Sequence, residues 1–256
     1  MTIAKIIHMT WKSKNLPDQY QANVNKWQDL HPDYKIIIYD DQDLRNYIVT
    51  HYSEFLNLYD DFPKHIMRID FVRYAILHRE GGIYADMDTY PIKNFDDFLD
   101  NDRILLASEA IEHCQKQNKS QLLCNAIMIS PPNMGFWYRF MQYIQNNDSI
   151  SSSDVLGRTG PLALTNFIEK YPLEGDQVNI LPSCYFYPML DVTQYKGQDI
   201  TFKGQKLHNI SKLCDPEKIY AIHTWNHTWC QDNNYNYVWA ILILLIIVII
   251  VIIILN

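Results

Sequence analysis

The stretch 66–91, IMRIDFVRYAILHREGGIYADMDTYP, decides how the rest of the chain is read. Ile66, Ile69, Val72 and Ile76 recur at helical spacing as a core-facing stripe, with Asp70 and Arg73 one turn apart on the other face. Gly81-Gly82 suits the end of that helix, because glycine takes left-handed backbone without steric cost. The residues that follow predict a short strand whose period of two sets Asp86 and Asp88 on one face and Ala85 and Met87 on the other. Two carboxylates converging there need a cation. Hard oxygen ligands suit manganese or magnesium, which keep several waters and complete their shell with substrate phosphates. Asp-x-Asp alone is a weak signal, since it recurs at 41–43 and 100–102 as turn or helix-cap punctuation, and Asp70 with Arg73 also fits a surface ion pair.

In order, Arg68-x-Asp70-x-x-Arg73-Tyr74 and Gly81-Gly82-Ile83-Tyr84-x-Asp86-x-Asp88 resemble the nucleotide-sugar transferases of glycosyltransferase family 32, among them initiating and inositolphosphoceramide mannosyltransferases. Four further blocks fit the same family. Lys5-Ile6-Ile7-His8 with Trp11 is similar to its first strand, with Ala4 in place of proline. Asn125 stands where members carry an asparagine, and Thr159-Gly160-Pro161 resembles the turn beside the donor site. His223 with Thr228-Trp229 keeps the interval of the closing H-x-x-x-x-[ST]-W motif.

The resemblance implies an A-type glycosyltransferase fold, α/β, with a Rossmann-like, mixed and mostly parallel sheet flanked by helices. It implies transfer of a hexose, with retention of configuration, from GDP-mannose or a UDP-hexose to a glycan or lipid acceptor. The implied metal, Mn2+ or Mg2+, would be held by Asp86, Asp88 and His223. Donor contacts would come from His8, Trp11, Asp70, Arg73, Tyr84, Asp86, Asn125, Gly160, Thr228 and Trp229, with Asp70, Arg73, Asp86 and Asp88 as the catalytic set. Asp86 would reach the ribose with one oxygen toward the metal, Asp70 a sugar hydroxyl, and Arg73 would offer its planar donor fork to phosphate or sugar.

Outward from the quoted stretch, residues 3–9 and 34–39 predict buried strands, and 17–30 a helix with Tyr20, Val24 and Trp27 along one face. A helix over 43–52 is capped by Asp40-Asp41, and another starts near Pro63. Ligands collect at the carboxyl ends of such strands, which would place His8 to Trp11 beside the nucleotide. Downstream, 95–99 predicts a helical turn, 104–108 and 125–130 strands, and 112–121 a polar loop on the acceptor side. Residues 136–146 predict a helix whose aromatic residues pack in the core, 161–170 another, and 219–223 a last strand. Alternating strands and helices predict helices on both faces of the sheet.

With 256 residues, 48% of them hydrophobic, one catalytic domain is expected over 1–232. A net charge of -7 and the lack of a basic stripe exclude a nucleic-acid footprint. The cysteines at 114, 124, 184, 214 and 230 lack zinc spacing and are expected to be reduced and buried. Residues 238–255, VWAILILLIIVIIVIIIL, carry no charge, glycine or proline. As a helix they span roughly 27 Å, enough for a bilayer core, so 233–256 is expected to be a C-terminal membrane anchor with an aromatic flank. The N-terminus shows no apolar targeting segment, which suggests a cytosolic catalytic domain, with a lumenal one left open by sequons at Asn118, Asn147, Asn209 and Asn226. Two other functions fit parts of the pattern: a sugar-binding protein that has lost catalysis, and an aspartate-nucleophile phosphohydrolase, which Tyr90 and the motif's position disfavour.

Overall fold

Side chains alternate across the central strands. Leu105 and Ala107 enter one core layer while Ile104 and Leu106 enter the other, and Ile83 and Ala85 separate from Tyr84 in the same way. The computed structural model describes residues 2–147, 154–171, 178–202 and 204–226. One unit covers Met1–Trp225, and Asn226–Asn256 forms another. The anchor expected over 238–255, together with Thr228 and Trp229, lies outside the described residues; among those described, no helix is long and apolar enough to cross a membrane.

The first half of the chain forms β1 (Ile6–Thr10), α1 (Asp18–Leu30), β2 (Lys35–Tyr39), α2 (Asp41–His51), α3 (Leu56–Asp61), α4 (His65–Glu80), β3 (Gly82–Ala85), β4 (Thr89–Pro91) and β5 (Ile104–Ser108). Then come α5 (Ile111–Lys116), β6 (Leu123–Ser130), α6 (Gly135–Asn146), α7 (Val155–Arg158), α8 (Pro161–Lys170), β7 (Val178–Leu181), β8 (Gln198–Phe202), β9 (Gln205–Ile210) and β10 (Ala221–His223). The main sheet has the order β2-β1-β3-β6-β5-β7. Its pairings are parallel except for those of β6, which runs against its neighbours, so the sheet is mixed and mostly parallel as expected.

Helical cover is unequal. Residues of α2, α4, α6 and α8 share one core layer, whereas the other layer takes α1 and the aromatic residues Phe95, Phe98, Phe186 and Tyr187 from irregular segments. The aromatic residues Phe136, Trp137 and Phe140 of α6 are core, as expected. Asp40 and Asp43 form a reciprocal capping box on α2, the cap role read for that Asp-x-Asp. Residues 112–116 of the expected loop belong to α5 instead, because His113 and Cys114 give this short polar segment a buried side.

Three corrections bear on the site. Helix α4 is not half-exposed: Asp70, Arg73, Tyr74 and Ala75 are buried along with Val72 and Ile76, while Ile66 and Ile69 are only partly covered. Strand β3 stops at Ala85, so Asp86 and Asp88 stand on the turn after it. Cys184 and Cys214 are paired as a disulfide with Cα atoms 5.2 Å apart, whereas Cys114 and Cys124 are free and buried. Both glycines at the corner are required: Gly81 has φ 65° and Gly82 φ 84°, and a Cβ on Gly81 would lie 2.6 Å from the Pro132 nitrogen.

His8, placed by sequence beside the nucleotide, is fully buried and ties that corner to β1. Its Nε2 donates to the Gly81 carbonyl (3.0 Å), and Nδ1 accepts from the Tyr39 hydroxyl (3.1 Å). Burial lowers its pKa to about 4. The unfolded chain then binds the proton that the folded one refuses between pH 6.5 and 4, so stability falls with pH across that window. From pH 7 to 4 this histidine should remove about 3 kcal/mol, and in His8→Gln that part of the acid sensitivity should vanish. Urea unfolding of both chains at pH 7 and pH 4.5 checks this; equal pH slopes would refute it.

Candidate active site

The turn Asp86–Thr89 is pinned from three sides. The Asp86 N–H donates to the Ala126 carbonyl of β6 (2.8 Å), and the Asn23 amide of α1 donates to the carbonyls of Met87 (2.9 Å) and Thr89 (2.8 Å). The Trp27 indole N–H reaches the same Thr89 carbonyl at 2.9 Å. From the far end of the chain, Thr224 donates its backbone N–H (3.0 Å) and hydroxyl (3.1 Å) to the Asp88 carbonyl. Antiparallel pairing of β10 with β4 sets His223 opposite Thr89. These contacts, rather than strand periodicity, bring the two carboxylates and the imidazole together.

Asp86, Asp88 and His223 each present one ligand atom, all within 4.8 Å of one another. His223 Nε2 lies 3.1 Å from Asp88 Oδ1, with side-chain exposures of 11% and 18%. That separation matches the edge of an octahedron with about 2.1 Å bonds; the two carboxylates suit manganese or magnesium, and the imidazole favours manganese, the softer of the two. Burial works against a charged imidazole, but the Asp88 carboxylate, with the Cys124 thiol beside it, overrides this and holds the His223 pKa above its usual value.

Beneath this cluster lies a buried polar tier. Arg73 donates to the Asn125 carbonyl (2.9 Å), pairs with Asp70 (3.1 Å) and with Asp86 (3.3 Å), and lies 4.6 Å over the Tyr84 ring. Asp70 also accepts from the Asn125 amide (3.0 Å) and the Thr159 hydroxyl (2.8 Å), and Asn125 donates to the Tyr74 hydroxyl (2.9 Å). Tyr84 donates its hydroxyl to Asp86 (2.8 Å) and stands 3.0 Å from the Thr10 hydroxyl. Burial pushes the carboxyl pKa values of Asp70 and Asp86 up against the charge of Arg73. Burial opposes the Arg73 charge too, but Asp86, Tyr84 and Asp70 together hold its pKa above the ordinary value.

The residues expected at the donor therefore divide. Asp86, Asp88 and His223 form the half-open rim. Asp70, Arg73, Tyr84 and Asn125 join them from below and bond to one another, to Asp86 and to Thr159. Gly160 caps α8 and bonds back to the Val155 carbonyl of α7, and its neighbour Thr159 makes the bond to Asp70. Trp11 packs against Tyr20, with ring centroids 4.3 Å apart and the planes tilted by 48°, and its buried indole N–H has no partner among the described residues. His8 stands apart, in the sheet. Sequence reading missed Asn23 and Trp225, and it covered Thr10 only as part of the span His8 to Trp11. Asn23 carries no motif, and Trp225, in the same TWNHTW segment as the closing motif, lies 4.2 Å ring to ring from His223.

Residues 17–105 match the family model described as "Glycosyltransferase sugar-binding region containing DXD motif". Inositol phosphoceramide mannosyltransferase 3 of Schizosaccharomyces pombe is 42% identical over 97 residues, which are 38% of this chain and 27% of that protein. Mannosyl phosphorylinositol ceramide synthase SUR1 of Saccharomyces cerevisiae is 30% identical over 192 residues, 72% of this chain and 47% of that one. The chain thus spans less than half the length of these relatives. Among solved structures, PaToxG Glycosyltransferase superposes with a TM-score of 0.53 at 19% identity, over 66% of this chain and 70% of that one, a likeness of fold.

Proposed function

With the DXD-containing sugar-binding region of glycosyltransferase family 32 present in this chain, we propose that it transfers a hexose from a nucleotide sugar to a glycan or lipid acceptor, with retention, in a divalent-metal-dependent reaction. The observation that carries this reading is the convergence of Asp86 and Asp88 with His223, which is 135 residues beyond Asp88. Asp88 and His223 would hold Mn2+ or Mg2+, and Asp86 would share its carboxylate between the ribose and the ion. A divalent ion held there supplies Lewis-acid stabilisation of the departing diphosphate, worth several kcal/mol.

Arg73 acts one step behind the place the sequence suggested. Its two terminal nitrogens pair with Asp70, Asp86 and the Asn125 carbonyl, while its buried Nε–H has no partner among the described residues, so in this reading it sets the angle at which Asp86 faces the donor. Trp11, with its unpartnered indole N–H, stays a donor contact, and Asp70 and Asn125 lock each other beneath the sugar. Asp86 is gripped from behind by Arg73 and Tyr84, which ill suits a covalent nucleophile. Retention is therefore read as same-face displacement, in which a leaving phosphate oxygen takes the acceptor's proton.

The curated relatives act, by their names, as mannosyltransferases on inositol phosphoceramide, which makes GDP-mannose the first donor to try and a lipid-borne acceptor the leading class. The Cys184–Cys214 disulfide points to an oxidising, lumenal side in place of the cytosolic one. A glycan on the exposed sequon at Asn118 would support this orientation, and retention of the unit in the cytosol would reverse it.

The full chain should release nucleotide from one of GDP-mannose, UDP-glucose, UDP-galactose or UDP-N-acetylglucosamine when Mn2+ is present, and chelator should stop it. Inertness toward all four with both metals would remove the transferase reading.

A further inference from the structure

Trp225 follows His223 by two residues and carries φ 55°, a left-handed backbone that bulky residues rarely take. Such conformations persist only where the surroundings over-determine them, and they gather at functional sites. Here the surroundings are specific. The indole N–H donates to the Met189 carbonyl at 2.8 Å, and the ring lies 4.2 Å from the His223 ring and 4.7 Å, edge-on, from the His113 ring.

His113 is itself fixed at both nitrogens. The Asp191 N–H donates to Nε2 at 3.1 Å, which requires a bare nitrogen there. The proton therefore sits on Nδ1 and is donated to Glu109 Oε2 at 3.0 Å. Glu109 and His113 side chains are each 7% exposed, and Glu109 directly follows β5 on the side of the sheet where that strand ends. An unbroken run of contacts thus leads from the end of β5 to the candidate ligand on β10: carboxylate, imidazole, indole, imidazole. The cluster of candidate ligands among the described residues includes none of Glu109, His113 and Trp225.

We propose that Glu109, His113 and Trp225 form a brace that holds the His223 ring in its ligating orientation, so that divalent-cation affinity depends on three residues that never touch the ion. All three are positioning residues. The proposal rests on the metal reading of Asp86, Asp88 and His223 given above. Hydrogen-bonding partners that orient a ligating histidine typically contribute 10- to 100-fold in metal affinity, and since His223 Nδ1 has no such partner among the described residues, the Trp225 ring is assigned an effect at the lower end of that range.

The test is Mn2+ binding by the purified full chain in detergent, without donor, read from free Mn2+ by electron spin resonance, with cooperative melting as the check of folding. Trp225→Ala should bind Mn2+ at least about 10-fold more weakly than wild type, and Trp225→Phe, which keeps a ring between the two imidazoles, within about 3-fold of it. Glu109→Ala should weaken binding, whereas Glu109→Gln should restore it, because the amide oxygen still accepts from Nδ1–H. Should Trp225→Ala fail to fold, the Glu109 pair decides. Wild type that binds Mn2+ alongside an unaltered Trp225→Ala, or Glu109→Gln as weak as Glu109→Ala, overturns the brace alone. A wild type without Mn2+ affinity overturns the metal reading and the brace with it.

Discussion

Alanine in place of Asp88 is expected to lower metal-dependent donor turnover by at least about 1,000-fold, or about 4 kcal/mol of transition-state stabilisation, while the chain stays folded. Both halves follow from the turn. Its shape is set by bonds to the backbone carbonyls of Met87, Asp88 and Thr89 and by the Asp86 N–H, and the Asp88 side chain contributes to none of these. What the substitution removes is one of three candidate ligands and the carboxylate 3.1 Å from His223. Asp88→Asn keeps the outline and loses the charge, so it should fall nearly as far. Asp41→Ala, in another Asp-x-Asp, should leave turnover untouched, because Asp41 opens helix α2 and, among the described residues, pairs with exposed His65. The measurement is nucleotide release against Mn2+ concentration. An Asp88→Ala chain with full turnover at saturating Mn2+ would end the proposal.

The contrast between those two aspartates shows what a sequence carries and what it does not. Periodicity placed α4 and the core strands, and the two glycines marked the corner, since each of these is decided by residues a few positions apart. The convergence at Asp88 is decided by α1, β6 and β10, from far-removed parts of the chain, and no local pattern encodes it; strand alternation set the two carboxylates on one strand face, whereas the structure holds them on the turn after β3. The same limit hid the burial of Arg73. Helical spacing puts it beside Asp70 whether the pair is solvated or buried, and only the packing of β6, Tyr84 and Thr159 around it distinguishes the two. Register at β6 adds to this: two steps along β5, from Leu105 to Ala107, oppose five along β6, from Ile129 to Cys124. That bulge falls beside Asn125, whose backbone carbonyl accepts from Arg73 while its side-chain amide donates to Asp70 and Tyr74, a placement that alternation would not foresee. Cys184 and Cys214 are joined across 30 residues with no spacing signature, so their pairing was equally invisible.

Arg73→Met should destabilise the fold by about 3–5 kcal/mol at pH 7.5, the usual result of leaving one partner of a buried ion pair uncompensated. The guanidinium is 3% exposed and Asp70 5%, and methionine replaces much of the volume without the charge. Asp70 then keeps Thr159 and Asn125 as donors but has no cation against a burial that already pushes its pKa up. The variant's Asp70 should titrate well above its unfolded value, so the folded variant binds a proton that the unfolded chain has lost. Stability of an acid with a raised folded pKa declines as pH rises from the unfolded value to the folded one. The deficit against wild type should therefore shrink between pH 7.5 and pH 5. Adding Asp70→Asn removes the stranded charge and should recover part of the loss, since replacing both partners of a buried pair is often close to neutral. Recovered stability need not bring recovered activity, because Asp86 would still lack the donor that sets its angle. Urea unfolding of wild type, both single variants and the double at the two pH values gives the coupling directly. A deficit under about 1 kcal/mol, or one that does not move with pH, would mean that Arg73 is screened by solvent and that the polar tier beneath the site does not hold Asp86 in place.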